Sequence, residues 1–233
     1  MSTKKRGLLR RSAYNSLKAM IVTGQLPPGA RVLVEDLAAK LKISRTPVRE
    51  ALNQLERDGL VTERARQGYA VKEFDITMFR EAFEVRELLD GYATELATSR
   101  LSPSDKEHLK GMVAECERLA NLPNQTQQDK FLELQIGMEI HRTIAAHSGN
   151  ETLRNLLNGI LDKCQHYVWM ELIRLDEWKI ARQEHEAIVN AMCEGDAKRA
   201  GELARRHIRE SRNNILELLQ AKSDLQNFMA KAS

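Results

Sequence analysis

The sequence predicts a mainly α protein: an N-terminal winged helix-turn-helix domain over residues 1–74, followed by an all-helical bundle over 75–233. Three observations carry this expectation. Two amphipathic stretches in the first third are separated by only a few residues, and the second is followed by two short β-like runs. From Asp75 onward the apolar periodicity is helical throughout, with aliphatic residues many and aromatics few. The charge divides at the same place: residues 1–74 carry 15 lysines and arginines against 7 acidic residues, whereas the rest carries 21 against 26. A basic module on an acidic body points to a polyanion as the partner of the first.

Each element follows from local pattern. A first helix spans Leu8 to Thr23 with Ala13, Leu17, Met20 and Ile21 on one face, and Gly24 ends it. "QLPPGARV" reads as a turn. Val34, Leu37, Ala38 and Leu41 recur at helical spacing and give a two-turn helix, after which "KIS" has length only for a tight turn. Ser44 is the expected N-cap of the third helix, and Pro47 falls in its first turn, where a missing N–H is tolerated. Val48, Ala51, Leu52 and Leu55 form that helix's buried stripe, and "RDG" closes it. "LVTERA" and "YAVKEF" flank "RQG" as a two-stranded hairpin. The later helices are expected over about 75–99, 104–120, 125–147, 151–175, 177–194 and 196–221, punctuated by Ser102-Pro103, Leu122-Pro123, Ser148-Gly149-Asn150 and Gly195-Asp196.

Composition narrows the setting. Hydrophobic residues at 42% and charged residues at 30% are ordinary for a globular protein. No apolar run approaches the roughly 18 residues of a membrane span, and "MSTKKRGLLRRSAYN" lacks the apolar core of a secretory signal. Cys116, Cys164 and Cys193 are odd in number and lie far apart within helical patterns, as reduced core cysteines of a cytoplasmic protein would.

If the third helix buries its apolar stripe, its opposite face shows Arg45, Thr46, Arg49 and Asn53. These side chains suit a DNA major groove. Arginine bonds guanine O6 and N7 bidentately, threonine and asparagine reach phosphate or base edges, and the free N–H groups of the first turn suit a phosphate. "SRTPVREALNQLERDGLV", preceded by "LPPGARVLVEDLAAKL" and followed by "RQGYAV", resembles the DNA-binding domain of the GntR superfamily of bacterial transcription regulators over residues 8–74. The resemblance implies a double-stranded DNA operator as partner, with Arg45, Thr46 and Arg49 in the major groove behind Ser44. It places Gln67 and Gly68 of the wing tip near the minor groove and Arg31 at the backbone. Lys4, Lys5, Arg6, Arg10 and Arg11 either add phosphate contacts or form a solvated arm.

In the helical part, inward-facing polar residues are informative because burying them is costly. His141 shares a face with Leu134, Met138, Ile144 and Ala145; His185 lies among Ala181, Ile188, Val189 and Met192; His207 lies with Leu203, Ala204, Ser211 and Asn214. Arg86 sits one turn before Asp90 on an apolar face. Together these predict a polar pocket lined by Arg86, His141, His185 and His207, while His108, His147 and His166 fall at surface or helix-end positions.

"VRELLDGYA", "HRTIAAHSGN" and "EHEAIVNAMCEGDAKRAGELARRHI" resemble the FCD-type effector domain of the FadR branch of that superfamily, over about residues 76–220. The resemblance implies a homodimer and a small organic acid effector, with a divalent metal, zinc above all, held by one aspartate and three histidines. The histidines correspond to His141, His185 and His207. The aspartate's position, one turn before His141, is Gly137, and Glu139 points elsewhere. Three imidazoles with a water or effector carboxylate still make a zinc site; equally, Gly137 opens room for a larger effector without metal. A three-histidine metalloenzyme would explain the pocket but not the basic N-terminal module, and the sequence shows no general base nearby. The expectation is therefore a non-enzymatic, ligand-responsive repressor of a metabolic operon, with no membrane partner.

Overall fold

The computed structural model describes residues 3–22, 25–65, 67–72, 75–172 and 178–231. They divide into two compact units, Met1–Asp75 and Ile76–Ser233.

The first unit contains α1 (Thr3–Val22), β1 (Arg31–Val32), α2 (Val34–Leu41), α3 (Arg45–Arg57), β2 (Val61–Arg64) and β3 (Gly68–Val71). Its core forms where the predicted stripes meet: Leu17 and Ile21 of α1, Leu37 of α2, and Val48, Leu52 and Leu55 of α3 are all buried. The wing differs from the expected hairpin. Its sheet has three antiparallel strands in the order β1-β3-β2, because Arg31 and Val32, read in the sequence as part of a turn, pair with Ala70 and Tyr69. Two residues carry too little alternation to register as a strand; only the pairing edge of β3 makes them one.

The helix α1 begins earlier than expected, at Thr3, so the backbone of Lys4, Lys5 and Arg6 is helical. Their side chains, and the predicted helix end at Thr23 and Gly24, lie outside the described residues. Between α2 and α3 the chain turns at Lys42, a non-glycine residue in the left-handed region (φ 54°, ψ 41°). The Lys42 N–H donates to Ala39 O and the Ile43 N–H to Ala38 O, which satisfies the last carbonyls of α2.

The second unit is helical: α4 (Ile76–Thr98), α5 (Pro103–Ala120), α6 (Gln127–His147), α7 (Glu151–Leu172), α8 (Trp178–Glu194) and α9 (Ala197–Lys231). Capping boxes start two of them, Ser102 with Asp105 for α5 and Thr126 with Asp129 for α6. The helix α9 extends ten residues past the predicted end at 221, for "AKSDLQNFMAK" holds neither glycine nor proline to stop it. The predicted break near 175–177 lies outside the described residues. Helices α4 and α9 pack closely where each presents a glycine: a Cβ on Gly91 would lie 2.4 Å from Arg205 Cγ, and one on Gly201 2.4 Å from Glu95 Cγ. Arg205 and Glu95 pair across this seam at 2.7 Å.

The Lys42 conformation yields a prediction. A left-handed L-residue costs roughly 1–2 kcal/mol, partly offset by glycine's extra unfolded-state entropy. Lys42→Gly is expected to stabilise the first unit by about 0.5–1 kcal/mol, read as a higher denaturation midpoint with unchanged slope.

Candidate functional site

Two sites emerge, one in each unit. In the first, Ser44 occupies the N-cap position of α3 with extended backbone (φ −71°, ψ 162°), yet its side chain makes no capping hydrogen bond. The reason is in the sequence: the N3 residue, which usually donates to such a cap, is Pro47 and has no N–H. Ser44 is thus exposed beside the exposed Arg45, Thr46 and Arg49. Arg45 lies 3.3 Å from Glu35 of α2, a solvent-exposed pair that contributes little and leaves the guanidinium free to exchange partners.

The wing is braced against this helix. Tyr69 of β3 donates its hydroxyl to Asn53 Oδ1 of α3, so Asn53, read in the sequence as groove-facing, is partly engaged within the protein. Arg31 Nε donates to the Gln67 carbonyl at 2.8 Å, holding the wing tip. Gly68 has φ +85°, and a Cβ there would sit 2.9 Å from Val32 O, so only glycine fits between β3 and β1. Arg31, Arg49, Asn53, Gln67 and Gly68 line one cleft between helix and wing.

In the second unit, His141 (α6), His185 (α8) and His207 (α9) converge from three helices, all buried, with one ligand atom from each lying within 4.8 Å of the others. Their orientations are fixed from behind. Asp90 of α4 sits between Arg86 Nε, 2.9 Å from one carboxylate oxygen, and His141 Nδ1, 2.9 Å from the other. Burial alone would raise the Asp90 carboxyl, but His141 and Arg86 outweigh it and hold it far below the carboxylate range. The carboxylate only accepts, so His141 donates from Nδ1 and turns the lone pair of Nε2 inward. His207 Nδ1 likewise donates to Glu184 Oε2 at 2.7 Å. The third imidazole closes the set, His185 Nε2 lying 3.2 Å from His141 Nε2. Burial lowers all three histidines, and for His185 and His207 the neighbouring imidazoles and Arg86 lower them further, so the cluster is neutral near pH 7.

Gly137 faces this cluster: a Cβ there would lie 3.3 Å from His185 Cε1. Glu139, in contrast, is exposed. The histidines and Arg86 line a cavity of about 120 Å³ whose walls include Phe83, Leu134 and Met138. Glu184 and Glu133, neither singled out in the sequence, line it too. Glu184 precedes His185 and so points off its face; only the neighbouring α9 reveals its partner. Both carboxylates that could serve as a base beside the histidines, Asp90 and Glu184, are engaged in orienting them. His108 is exposed and His147 pairs with Asp105 at 3.2 Å, away from the cluster. The His166 side chain lies outside the described residues.

Comparison with known proteins decides the family. Residues 9–71 match the model for bacterial regulatory proteins of the gntR family, and residues 81–210 match the FCD domain. The chain is a GntR-family transcriptional regulator with an FCD domain. It is 26% identical over 210 residues to the Nta operon transcriptional regulator of Aminobacter aminovorans, covering 86% of this chain and 91% of that one. It is also 26% identical over 203 residues to the HTH-type transcriptional regulator LutR of Bacillus subtilis, covering 78% and 89%. Its fold matches that of E. coli McbR/YncC with a TM-score of 0.72 at 23% identity, covering 92% of this chain and 98% of that one. GntR-type regulators bind DNA and are usually dimers, and FCD domains often hold a metal ion. The family consists of regulators rather than enzymes. No helix among the described residues of this regulator is long and apolar enough to cross a membrane.

The buried pair behind the histidines can be tested directly. Asp90→Ala would leave Arg86 charged and uncompensated at 3% exposure, which costs roughly 3–5 kcal/mol. Chemical denaturation of the variant is expected to show a loss of that size.

Proposed function

We propose that this regulator is a cytoplasmic repressor of a metabolic operon, bound to its operator as a homodimer and released by a small carboxylate effector held at His141, His185, His207 and Arg86. The observation that carries this reading is the convergence of three buried imidazoles, two of them oriented by carboxylates, on a small cavity in a protein whose other unit is a DNA-binding module. An arginine, together with a metal held on the inward-facing imidazole lone pairs, at one end of a mostly apolar cavity would suit an anionic head group.

The donor set fits a divalent metal, zinc by ligand type. Three Nε2 atoms around tetrahedral zinc would stand about 3.4 Å apart, for Zn–N bonds near 2.0–2.1 Å. The His141–His185 separation of 3.2 Å is already close to this, and a modest inward shift of His207 completes the set. Asp90 and Glu184 supply the carboxylates that commonly orient metal-binding histidines. A bound metal would supply a Lewis-acidic anchor for the effector's carboxylate. Gly137 removes the anionic ligand that usually accompanies the histidines, so affinity for the metal is expected to be weak and to depend on a water or the effector to complete the shell. The same glycine supports a second reading, a metal-free pocket for a larger effector.

On the DNA side, Arg45, Thr46 and Arg49 read the major groove, Ser44 and the first-turn N–H groups hold a phosphate, and Gln67, Gly68 and Arg31 follow the backbone toward the minor groove. Arg45→Ala and Arg49→Ala should each lose about 1–3 kcal/mol of operator binding per half-site while melting normally. Unchanged affinity in both, measured by fluorescence anisotropy, would remove α3 as the reading helix.

Gly137→Asp should raise zinc affinity, and His185→Ala should abolish it, since two imidazoles from separate helices are too few. Metal analysis and chelator-dependent melting read both outcomes. If neither wild type nor Gly137→Asp holds metal, the metal-free reading replaces the first.

A further inference from the structure

The cavity beside the histidines carries ionic groups at both ends, and a divalent ion on the imidazoles would make the two ends unlike. On α6 the face that carries His141 continues back through Gly137 to Glu133, eight residues away and roughly 12 Å along the helix axis. On α8 the face of His185 continues back to Arg182, one turn away. Glu133 and Arg182 both line the cavity, and Glu133 is only 4% exposed.

Arg182 is fully engaged there. Its Nη1 donates to Glu133 Oε1 at 2.7 Å and its Nε to Glu117 Oε2 at 3.1 Å, while Gln125 Nε2 donates to the other Glu133 oxygen at 3.2 Å. Glu117 is exposed and lies outside the lining, so the cavity itself meets the Glu133 carboxylate and a guanidinium already paired with two carboxylates. The rest of the lining is mostly apolar, with Phe83, Leu134, Met138, Ile180 and Ile215, and includes Ser211 and Asn214 of α9. At the histidine end, Arg86, Asp90 and Glu184 beside a divalent ion on neutral imidazoles would leave one positive charge to be balanced.

We propose that the effector is a short monocarboxylate with an apolar tail, and that Glu133 is the specificity-determining residue that rejects a second carboxylate. This rests on the effector reading above. One carboxylate neutralises the histidine end, and the hydrocarbon chain lies along the apolar wall. A second carboxylate at the far end would meet the Glu133 carboxylate, with the neighbouring Arg182 already paired with Glu133 and Glu117. A volume of about 120 Å³ is a little less than that of an apolar protein cavity of about 150 Å³ that takes up benzene, which limits the ligand to about six heavy atoms.

The test is calorimetric titration of the full-length protein, zinc-loaded and chelator-treated, with butanoate, malonate, octanoate and 1-butanol; malonate is close to butanoate in size and differs by the second carboxylate. Butanoate should bind at least about tenfold more tightly than malonate or octanoate, and 1-butanol should not bind. In Glu133→Gln, which keeps the shape and removes the charge, the malonate-to-butanoate affinity ratio should rise about tenfold. Malonate equal to or tighter than butanoate in the wild-type protein overturns the inference, and so does an unchanged ratio in a folded Glu133→Gln. If no carboxylate binds either form, the effector reading itself falls and this inference with it.

Discussion

Arg86 and Asp90 lie on one helix at 3% and 1% exposure, each tolerable there only because the other is 2.9 Å away. An ion pair at the surface of the same unit, Arg199 with Glu194 at 3.3 Å, could be removed with little effect. The buried pair cannot, because neither charge has water to fall back on. Its geometry then propagates. One Asp90 oxygen is committed to Arg86, so the other is left for His141, and that contact selects the tautomer and the ring plane of the first histidine. His185 packs against His141 edge-on, with interplanar angle 72°, and His207 stacks on His141 at 14°. The site is thus assembled outward from α4, which contributes no histidine of its own.

The DNA-facing unit rests on a different economy. Its helices are held by a conventional apolar core, and the polar surface of α3 is left with few internal obligations. Pro47 is central to this: by lacking an N–H it leaves the Ser44 hydroxyl without its usual partner, so a side chain that would otherwise stabilise the helix start stays available to a phosphate. Tyr69 and Arg31, conversely, tie the wing to α3 and to its own tip, which limits how far the cleft between helix and wing can deform.

Much of this was legible in the sequence where the relevant physics is local. The stripes Val48, Ala51, Leu52, Leu55 and Ala13, Leu17, Met20, Ile21 identify buried faces because helical spacing fixes which residues share a face. The three histidines stood out because each interrupts such a stripe. What stayed hidden depends on neighbours distant in the chain. β1 is a strand only because β3 offers an edge, and Glu184 matters only because α9 brings His207 to 2.7 Å. Glu133 looked like one more charge on an amphipathic helix, and nothing short of the packing of α5 and α8 against α6 reveals it as buried and bonded to Arg182.

The glycines at 91 and 201 carry a consequence for genetics. Neither touches the cavity, yet each gives up its side chain so that Arg205 and Glu95 can cross the α4–α9 seam. The same two helices bear Asp90, one residue from Gly91, and His207, less than two turns from Gly201. A selection for variants impaired in the histidine cluster should therefore return alanine, serine or valine at these two positions alongside the histidines themselves. Such alleles would lie at buried positions outside the cavity, invisible to any account that considers only its lining.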